Sequence, residues 1–187
     1  MTATHLPVVG VDLSLQATGI ATAAGVRTIG SSGRQGASLR VRHARLADLA
    51  TQVCLAVTEA AAPRMALVVL EAPAYDSRTG HQHDRSGLWW LVVDELLAAG
   101  HLVAEVTTGG LKKYATGKGV GKKAAIVSAV TARYGVVFGD DNQADAFVLR
   151  AMGMHRYGHP LATVPKTHAA ALDAVAWPDV DHLAVTA

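Results

Sequence analysis

The fold is decided by one short stretch of sequence, Val8-Val9-Gly10-Val11-Asp12-Leu13-Ser14, which is apolar and rich in β-branched residues. A run of this length bounded by turn residues predicts a buried strand. Its single carboxylate is unusual, because a charge in a buried strand is costly unless it is paired or binds a metal ion. Asp12 therefore either ends the strand and caps a turn through Ser14, or belongs to a functional site.

Outward from this stretch, the hydrophobic pattern predicts an α/β protein. A strand meander covers residues 7–30, and the continuous apolar run at 65–71 is typical of a central strand buried on both faces. Apolar residues at helical spacing predict the helices. The remaining predicted elements are helices at 38–61, 86–99, 122–134 and 143–152, a short helix with a glycine-rich loop at 111–121, and a strand at 101–106. We expect one domain over residues 1–153 and a partly helical C-terminal extension over residues 154–187.

Composition and charge narrow the class of protein. The 187 residues carry a net charge of +2, but residues 106–139 contain six Lys or Arg and no Asp or Glu. Such a basic block favours one surface that faces a polyanion. The single cysteine, Cys54, excludes an internal disulfide and favours a reduced thiol in the cytoplasm. Residues 1–6 lack the pattern of a signal peptide, and the longest apolar run, residues 65–70, is too short to cross a membrane.

Two further carboxylates stand in settings as unusual as that of Asp12. Glu71 ends the apolar strand at 65–71, and Asp145 lies in the first turn of the last predicted core helix. Acids grouped at strand ends and a helix start, without histidine, suit oxygen coordination of Mg²⁺ or Mn²⁺. Two such ions about 4 Å apart would activate a water and stabilise the leaving oxygen in phosphodiester hydrolysis. Each acid also has a capping or turn alternative.

The motifs taken in order resemble one known family. Residues 9–19 (Val-Gly-Val-Asp-Leu-Ser-Leu-Gln-Ala-Thr-Gly), residues 68–73 (Val-Val-Leu-Glu-Ala-Pro), the Lys/Gly-rich segment and residues 140–146 (Asp-Asp-Asn-Gln-Ala-Asp-Ala) together resemble the RuvC family of Holliday junction resolvases, within the RNase H-like (retroviral integrase) superfamily. The chain looks like a phage-type member, which would act in the host cytoplasm. The resemblance implies an RNase H-like nuclease domain with a mixed sheet flanked by helices. It also implies a homodimer and Mg²⁺-dependent symmetric nicking of a four-way DNA junction.

This sequence matches only part of the family's set of acidic residues. Asp12, Glu71 and Asp145 match three of the four acidic positions, whereas the position three residues before the last aspartate holds Asn142. Asp141 lies four residues before Asp145, which places both on the same helix face. We expect Asp141 to be the fourth ligand, with Asn142 as a neutral alternative. The competing interpretation is that Asp140 and Asp141 only cap the N-terminus of the helix.

The basic block is the candidate nucleic-acid surface. Its lysines interleave with glycines, which let a backbone approach phosphates closely, although a lysine run also suits a solvated helix face. The resemblance places Lys112 and Lys123 at positions that contact the junction backbone. In the loop after Glu71, Tyr75 is the candidate for stacking on bases at the crossover, with anchoring of the loop as its alternative. The predicted nucleic-acid contacts are Lys112, Lys113, Lys118, Lys122, Lys123, Tyr75 and Arg78.

The leading hypothesis is therefore a metal-dependent endonuclease that resolves four-way or other branched DNA. A second hypothesis is an RNase H-like nuclease that acts on structured RNA or an RNA–DNA hybrid. A third is a module that binds junction DNA but has lost cleavage through the change to Asn142. A fragment of an actin-like or sugar-kinase ATPase ranks last, because the chain is short for two lobes and has no second phosphate loop.

Overall fold

The computed structural model describes residues 6–73 and 81–180. Five strands form one sheet: β1 (Val8–Asp12), β2 (Thr18–Thr22), β3 (Gly25–Ile29), β4 (Leu67–Glu71) and β5 (Leu102–Val106). Their spatial order is β3-β2-β1-β4-β5. The β1–β2 and β2–β3 pairs are antiparallel, and the β1–β4 and β4–β5 pairs are parallel. The predicted mixed sheet of an α/β protein is confirmed.

The helices cover both faces of this sheet. They are α1 (Leu39–Ala61), α2 (Gln82–Ala98), α3 (Thr108–Thr116), α4 (Lys123–Tyr134), α5 (Asp141–Arg156) and α6 (Lys166–Ala169), followed by a 3₁₀ turn at Leu172–Ala174. Alternate strand residues point to opposite faces. Val9 packs with α1 and α2, whereas Val8 packs with α3, α4 and α5. The two central strands are therefore apolar on both faces, which is why β1 and β4 are continuous hydrophobic runs.

The last long helix, α5, lies unusually close to the sheet. A Cβ atom added to Gly10 would lie 2.0 Å from the carbonyl oxygen of Ala146, and one added to Gly19 would lie 2.1 Å from that of Asn142. Only glycine allows a helix backbone to approach β1 and β2 so closely. This contact holds the first turns of α5 over the centre of the sheet.

Two details differ from the sequence prediction. Helix α2 begins at Gln82, one turn before the predicted start at Ser86. The Asp84 carboxylate lies in that added turn, where it is favourably placed at a helix N-terminus and accepts hydrogen bonds from the Arg42 guanidinium of α1. Leu39 and Val41 belong to the apolar pattern that predicts the helix at 38–61, yet both are exposed, because they lie in the first turn of α1.

The chain beyond α5 folds back onto the same molecule. Helix α5 continues to Arg156, past the predicted domain boundary at residue 153, and that division stays a prediction. We call residues 159–178 the return segment. Its Ala171 and Leu172 are buried in the core that α3, α4 and α5 share. No helix in the described ranges is long and apolar enough to span a membrane.

Candidate metal centre and nucleic-acid interface

Three carboxylates that are far apart in sequence meet at the C-terminal ends of the central strands β1 and β4. Val11 pairs with Leu70 in the parallel β1–β4 ladder, so Asp12 and Glu71 leave the two strands side by side. Asp145 reaches the same point from α5. One carboxylate oxygen from each of the three residues lies within 4.8 Å of the others. Asp12 and Asp145 are buried, and Glu71 is half-buried.

The turn after β1 is stabilised by neighbouring hydroxyl groups. Thr18 Oγ1 donates to the Ser14 carbonyl at 2.8 Å and accepts from the Ser14 amide at 3.1 Å. Ser14 Oγ accepts from the amides of Gln16 and Ala17 at 3.4 Å. These bonds close the turn with Ser14 and Thr18, while a carboxylate oxygen of Asp12 lies within 4.8 Å of one of Glu71. The arrangement favours Asp12 as a site residue over Asp12 as a turn cap.

Burial and the neighbouring carboxylates raise the pKa values of Asp12 and Asp145. Burial raises the pKa of Asp12 well above its ordinary value, and the neighbouring Glu71 and Asp145 raise it further. Burial, and then the charge of Glu71, raise the pKa of Asp145 to about 7. The ammonium group of Lys123 opposes both shifts. The donor set fits a hard divalent cation, because it supplies oxygen ligands and an excess of negative charge once deprotonated.

The three polar residues at the start of α5 have different bonding partners. Asp140 is the N-cap, and its carboxylate accepts from the Gln143 amide and from Thr28 Oγ1, each at 2.8 Å. Asp141 forms an ion pair with Lys123, which lowers the pKa of Asp141 chiefly through their hydrogen bond. Asn142 donates to the Ala17 carbonyl at 2.7 Å and so ties α5 to the β1–β2 turn. Asp141 and Asn142 thus lie beside the three-carboxylate cluster, with side chains that bond elsewhere.

Two of the predicted basic residues lie near the carboxylates. Lys123 and Lys112 are close enough for their charges to lower the pKa of Asp145. Lys122 is the N-cap of α4, and Lys123 is its first residue. Lys113 lies on the exposed side of α3, and Lys118 lies in the exposed loop between α3 and α4. Tyr75 and Arg78 lie outside the described residues.

Two contacts at the site cannot be predicted from the sequence pattern. The Trp89 indole N–H of α2 donates to the Glu71 carbonyl at 3.0 Å and so fixes the end of β4. Trp89 is buried, and its ring stands edge to face against the exposed Trp90 at a centroid distance of 4.9 Å. The second contact is the Lys123–Asp141 ion pair, which joins α4 to α5.

Comparison with solved structures identifies the fold. The chain is similar to RuvC of Thermus thermophilus, with a TM-score of 0.61 and 14% identity over 86% of this chain and 100% of that chain. It is also similar to T. thermophilus RuvC in complex with Holliday junction substrate, with a TM-score of 0.58 and 15% identity over the same shares. The yeast mitochondrial Holliday junction resolvase Ydc2 gives a TM-score of 0.52 and 12% identity over 89% of this chain and 80% of that chain. No protein-family model and no curated protein matches the sequence. The predicted RuvC-like, RNase H-like fold is confirmed.

Proposed function

We propose that this chain is a divalent-cation-dependent endonuclease that cuts four-way or other branched DNA by phosphodiester hydrolysis. The observation that carries the proposal is the convergence of Asp12, Glu71 and Asp145, from β1, β4 and α5, within 4.8 Å. Grouping three carboxylates, two of them buried, opposes folding unless a cation or protons neutralise them. Such a cluster at the edge of a RuvC-like sheet is better explained by function than by stability.

Asp12, Glu71 and Asp145 would hold Mg²⁺ or Mn²⁺, and we propose two ions per site. We propose Asp141 as the fourth ligand, which requires its carboxylate to leave Lys123; Asn142 is the neutral alternative. When bound, the ions would supply Lewis-acid stabilisation of the charge that develops on the phosphate and would ease deprotonation of an attacking water. The chain's own part is to keep the carboxylates buried, rigid and free of competing ligands.

The basic residues would orient the DNA. Lys112 and Lys123 stand beside the carboxylates, where their ammonium groups would hold the phosphates that flank the scissile bond. Lys113, Lys118 and Lys122 would contact the backbone further from the cut. Tyr75 and Arg78 remain proposals for the loop after β4, with Tyr75 stacking on an unpaired base at the crossover.

A homodimer would allow paired cuts. The groove between α1 and α2 has a volume of about 550 Å³ and a mainly apolar surface. Its lining also includes His43, Asp94 and the Arg42–Asp84 ion pair. Trp90 in this groove is 65% exposed, and Leu39 is 77% exposed. Large exposed apolar residues grouped in this way suit a self-complementary interface. We further propose cytoplasmic action and a nuclease domain over residues 1–153.

The test is nicking of a synthetic immobile four-way DNA junction with Mg²⁺ or Mn²⁺, compared between the wild type and Asp12→Asn. We expect paired, symmetric nicks that the variant does not make while it still binds the junction. Asp48→Asn, which changes an exposed carboxylate on α1, is the matched control and should cut normally.

Other results would point to the competing functions. Tight junction binding without cleavage under either cation would support the binding module that has lost catalysis. Cleavage of an RNA–DNA hybrid, without preference for the junction over duplex DNA, would support the RNase H-like alternative. Cleavage that persists in Asp12→Asn would contradict the assignment of the site.

A further inference from the structure

The return segment contacts the basic block, residues 106–139, at the C-terminal end of α3. The Arg133 guanidinium of α4 donates to the carbonyls of Tyr114 and Ala115, at 3.1 and 2.9 Å. It thereby satisfies carbonyl groups that the end of a helix leaves without intrahelical partners. His168, from α6 in the return segment, joins the same group, with its Nδ1 at 2.9 Å from the guanidinium.

The Nδ1 atom of His168 has two polar neighbours. A guanidinium only donates, so Nδ1 accepts from Arg133 in the neutral ring that carries its proton on Nε2. The Tyr114 carbonyl, 3.1 Å from the same Nδ1, only accepts, so in that tautomer its hydrogen bond comes from Arg133 and not from His168. His168 therefore orients the guanidinium that caps α3.

The other edge of the His168 ring lies against Gly117. Gly117 ends α3 in the left-handed conformation, with φ at 81°, and its amide donates to the Lys113 carbonyl at 2.8 Å. A Cβ atom at this position would lie 2.6 Å from His168 Nε2. The ring thus occupies the space beside the residue at which the chain turns out of α3.

That turn leads directly into the loop over residues 117–122, which we call the basic loop. Thr116 Oγ1 accepts from the Lys118 amide at 3.3 Å and donates to the Lys112 carbonyl at 2.9 Å. The position of Lys118 therefore follows from how α3 ends. Lys122, at the other end of the basic loop, occupies the N-cap position of α4, and α4 also carries Arg133.

The return segment itself is anchored in the core. Ala171 is 2% exposed and Leu172 is 9% exposed. Trp177 Nε1 donates to the Leu172 carbonyl at 2.9 Å, and the Tyr157 hydroxyl donates to the Pro178 carbonyl at 2.7 Å. A segment fixed in this way presents His168 to α3 from a rigid base.

We propose that the return segment positions the basic loop for nucleic-acid binding, and that His168 is the positioning residue. It holds Arg133 and Gly117, which together set the direction in which Lys118 and Lys122 project towards phosphate groups. This inference rests on the proposed function only for the identity of the ligand, since the order of the loop is measurable without DNA.

The experiment compares His168→Ala and His168→Asn with Thr167→Ala, a matched substitution at the exposed neighbour in α6. The first measurement is the rate of tryptic cleavage after Lys118 and Lys122, read by mass spectrometry without DNA. The second is the dissociation constant for a four-way junction with Ca²⁺ in place of Mg²⁺, as a function of salt. The third is the shift in melting temperature caused by Mn²⁺, which reports on the carboxylates.

We expect His168→Ala to speed tryptic cleavage of the basic loop and to weaken junction binding about fivefold, with a salt dependence shallower by about one phosphate contact. The Mn²⁺ shift should match that of the wild type, because the carboxylates lie on other elements. His168→Asn, whose amide oxygen accepts from Arg133, should restore part of both effects.

A double-mutant cycle adds a test of the contact itself. Gly117→Ala should loosen the basic loop in the wild-type background, and its effect should be smaller in His168→Ala, because the ring that opposes the new methyl group is gone. Cleavage and binding in His168→Ala equal to those of Thr167→Ala would overturn the inference. A loosened loop in a protein whose wild type shows no junction preference would instead contradict the proposed ligand and leave the positioning role supported.

Discussion

Asp145 is a residue whose charge works against folding. Burial and the charge of Glu71 raise its pKa to about 7, against about 3.9 in an unfolded chain. At pH values between these two pKa values, the folded state binds more protons than the unfolded state. The contribution of Asp145 to the free energy of unfolding therefore falls as pH rises. A bound cation would take over the role of the protons.

Asp145→Asn should therefore stabilise the cation-free protein, and the gain should grow with pH. At pH 5 most of the native Asp145 is protonated and the substitution stabilises the protein less, whereas at pH 8 it removes a buried charge. We expect an increase in the free energy of unfolding of roughly 1–3 kcal/mol at pH 8. Urea unfolding of both proteins in EDTA at the two pH values measures this difference. A smaller gain at pH 8 than at pH 5 would contradict the proposed electrostatics.

Adding Mn²⁺ should make the wild type more stable than Asp145→Asn. The wild type should gain about 2.7 kcal/mol when the free cation reaches a hundred times its dissociation constant. Asp145→Asn and Asp12→Asn should gain much less, because each lacks a ligand. Thermal melts at pH 7.5 with and without Mn²⁺ report this gain, and equal shifts in all three proteins would exclude a cation site at these carboxylates.

Trp89 is expected to support the same site through the backbone. Trp89→Phe keeps most of the buried ring but removes the N–H that holds the Glu71 carbonyl at 3.0 Å. Loss of such a supporting bond weakens metal binding by roughly tenfold in known sites. We expect that loss in a Mn²⁺ titration followed by melting temperature. Trp90→Phe, at the exposed neighbour, is the control and should bind Mn²⁺ like the wild type. Equal Mn²⁺ affinities in the two variants would show that Trp89 does not support the metal site.

At the scale of single residues, the sequence reveals side chains whose charge conflicts with their apolar neighbours. Asp12 and Glu71 are conspicuous because each is a carboxylate attached to an apolar run. Trp89 is an ordinary apolar residue of a helix, so its bond to Glu71 cannot be inferred from its neighbours in sequence. The Lys123–Asp141 ion pair likewise depends on how α4 packs against α5, which sequence spacing does not specify.

At the scale of elements, the close approach of α5 to the sheet assembles the site. Gly10 has the backbone of Ala146 and Arg150 where its Cβ atom would lie, at 2.0 and 2.4 Å. Both contacts are with a helix backbone, which cannot yield as a flexible side chain does. A methyl group here must push α5, and Asp145 with it, away from β1.

Gly10→Ala should therefore destabilise the fold by about 3 kcal/mol or more. Gly87→Ala is the matched control, because its added Cβ would lie 3.6 Å from Leu46 and alanine favours a helix. That variant should be unchanged or slightly more stable. Urea unfolding of the two variants measures the difference, and a Gly10→Ala protein within about 0.5 kcal/mol of the wild type would disprove the close packing of α5.

The elements that sequence predicts best are those with a strong period and clear caps. Helix α1 begins after the N-cap Ser38, and α4 ends at Gly135 in the left-handed conformation, as the pattern indicates. The first turn of α2 is missed, because its polar residues resemble a loop until Arg42 of α1 is opposite Asp84. The docking of the return segment is missed for the same reason: it depends on tertiary contacts of Ala171 and Leu172.

At the scale of the whole molecule, the groove between α1 and α2 lies on the face of the sheet opposite α5. Its apolar lining includes Leu46, Leu91 and the exposed Trp90. A two-fold symmetric contact uses the same surface on both copies, so one substitution alters the interface twice. The carboxylate cluster lies at the ends of β1 and β4, where Asp145 joins it from α5 on the opposite face.

Trp90→Glu should therefore convert the proposed dimer into a monomer, because it places a charge on each copy in an apolar contact. Val137→Glu, which introduces the same charge at a residue that is 84% exposed and outside the groove, is the control and should leave the mass unchanged. Sedimentation equilibrium gives the masses. On a four-way junction, the monomeric variant should make single, uncoupled nicks, since each copy keeps its own Asp12, Glu71 and Asp145. A wild type that sediments as a monomer while making paired cuts would show that this groove does not couple the two sites. A Trp90→Glu protein that stays dimeric would place the interface elsewhere on the molecule.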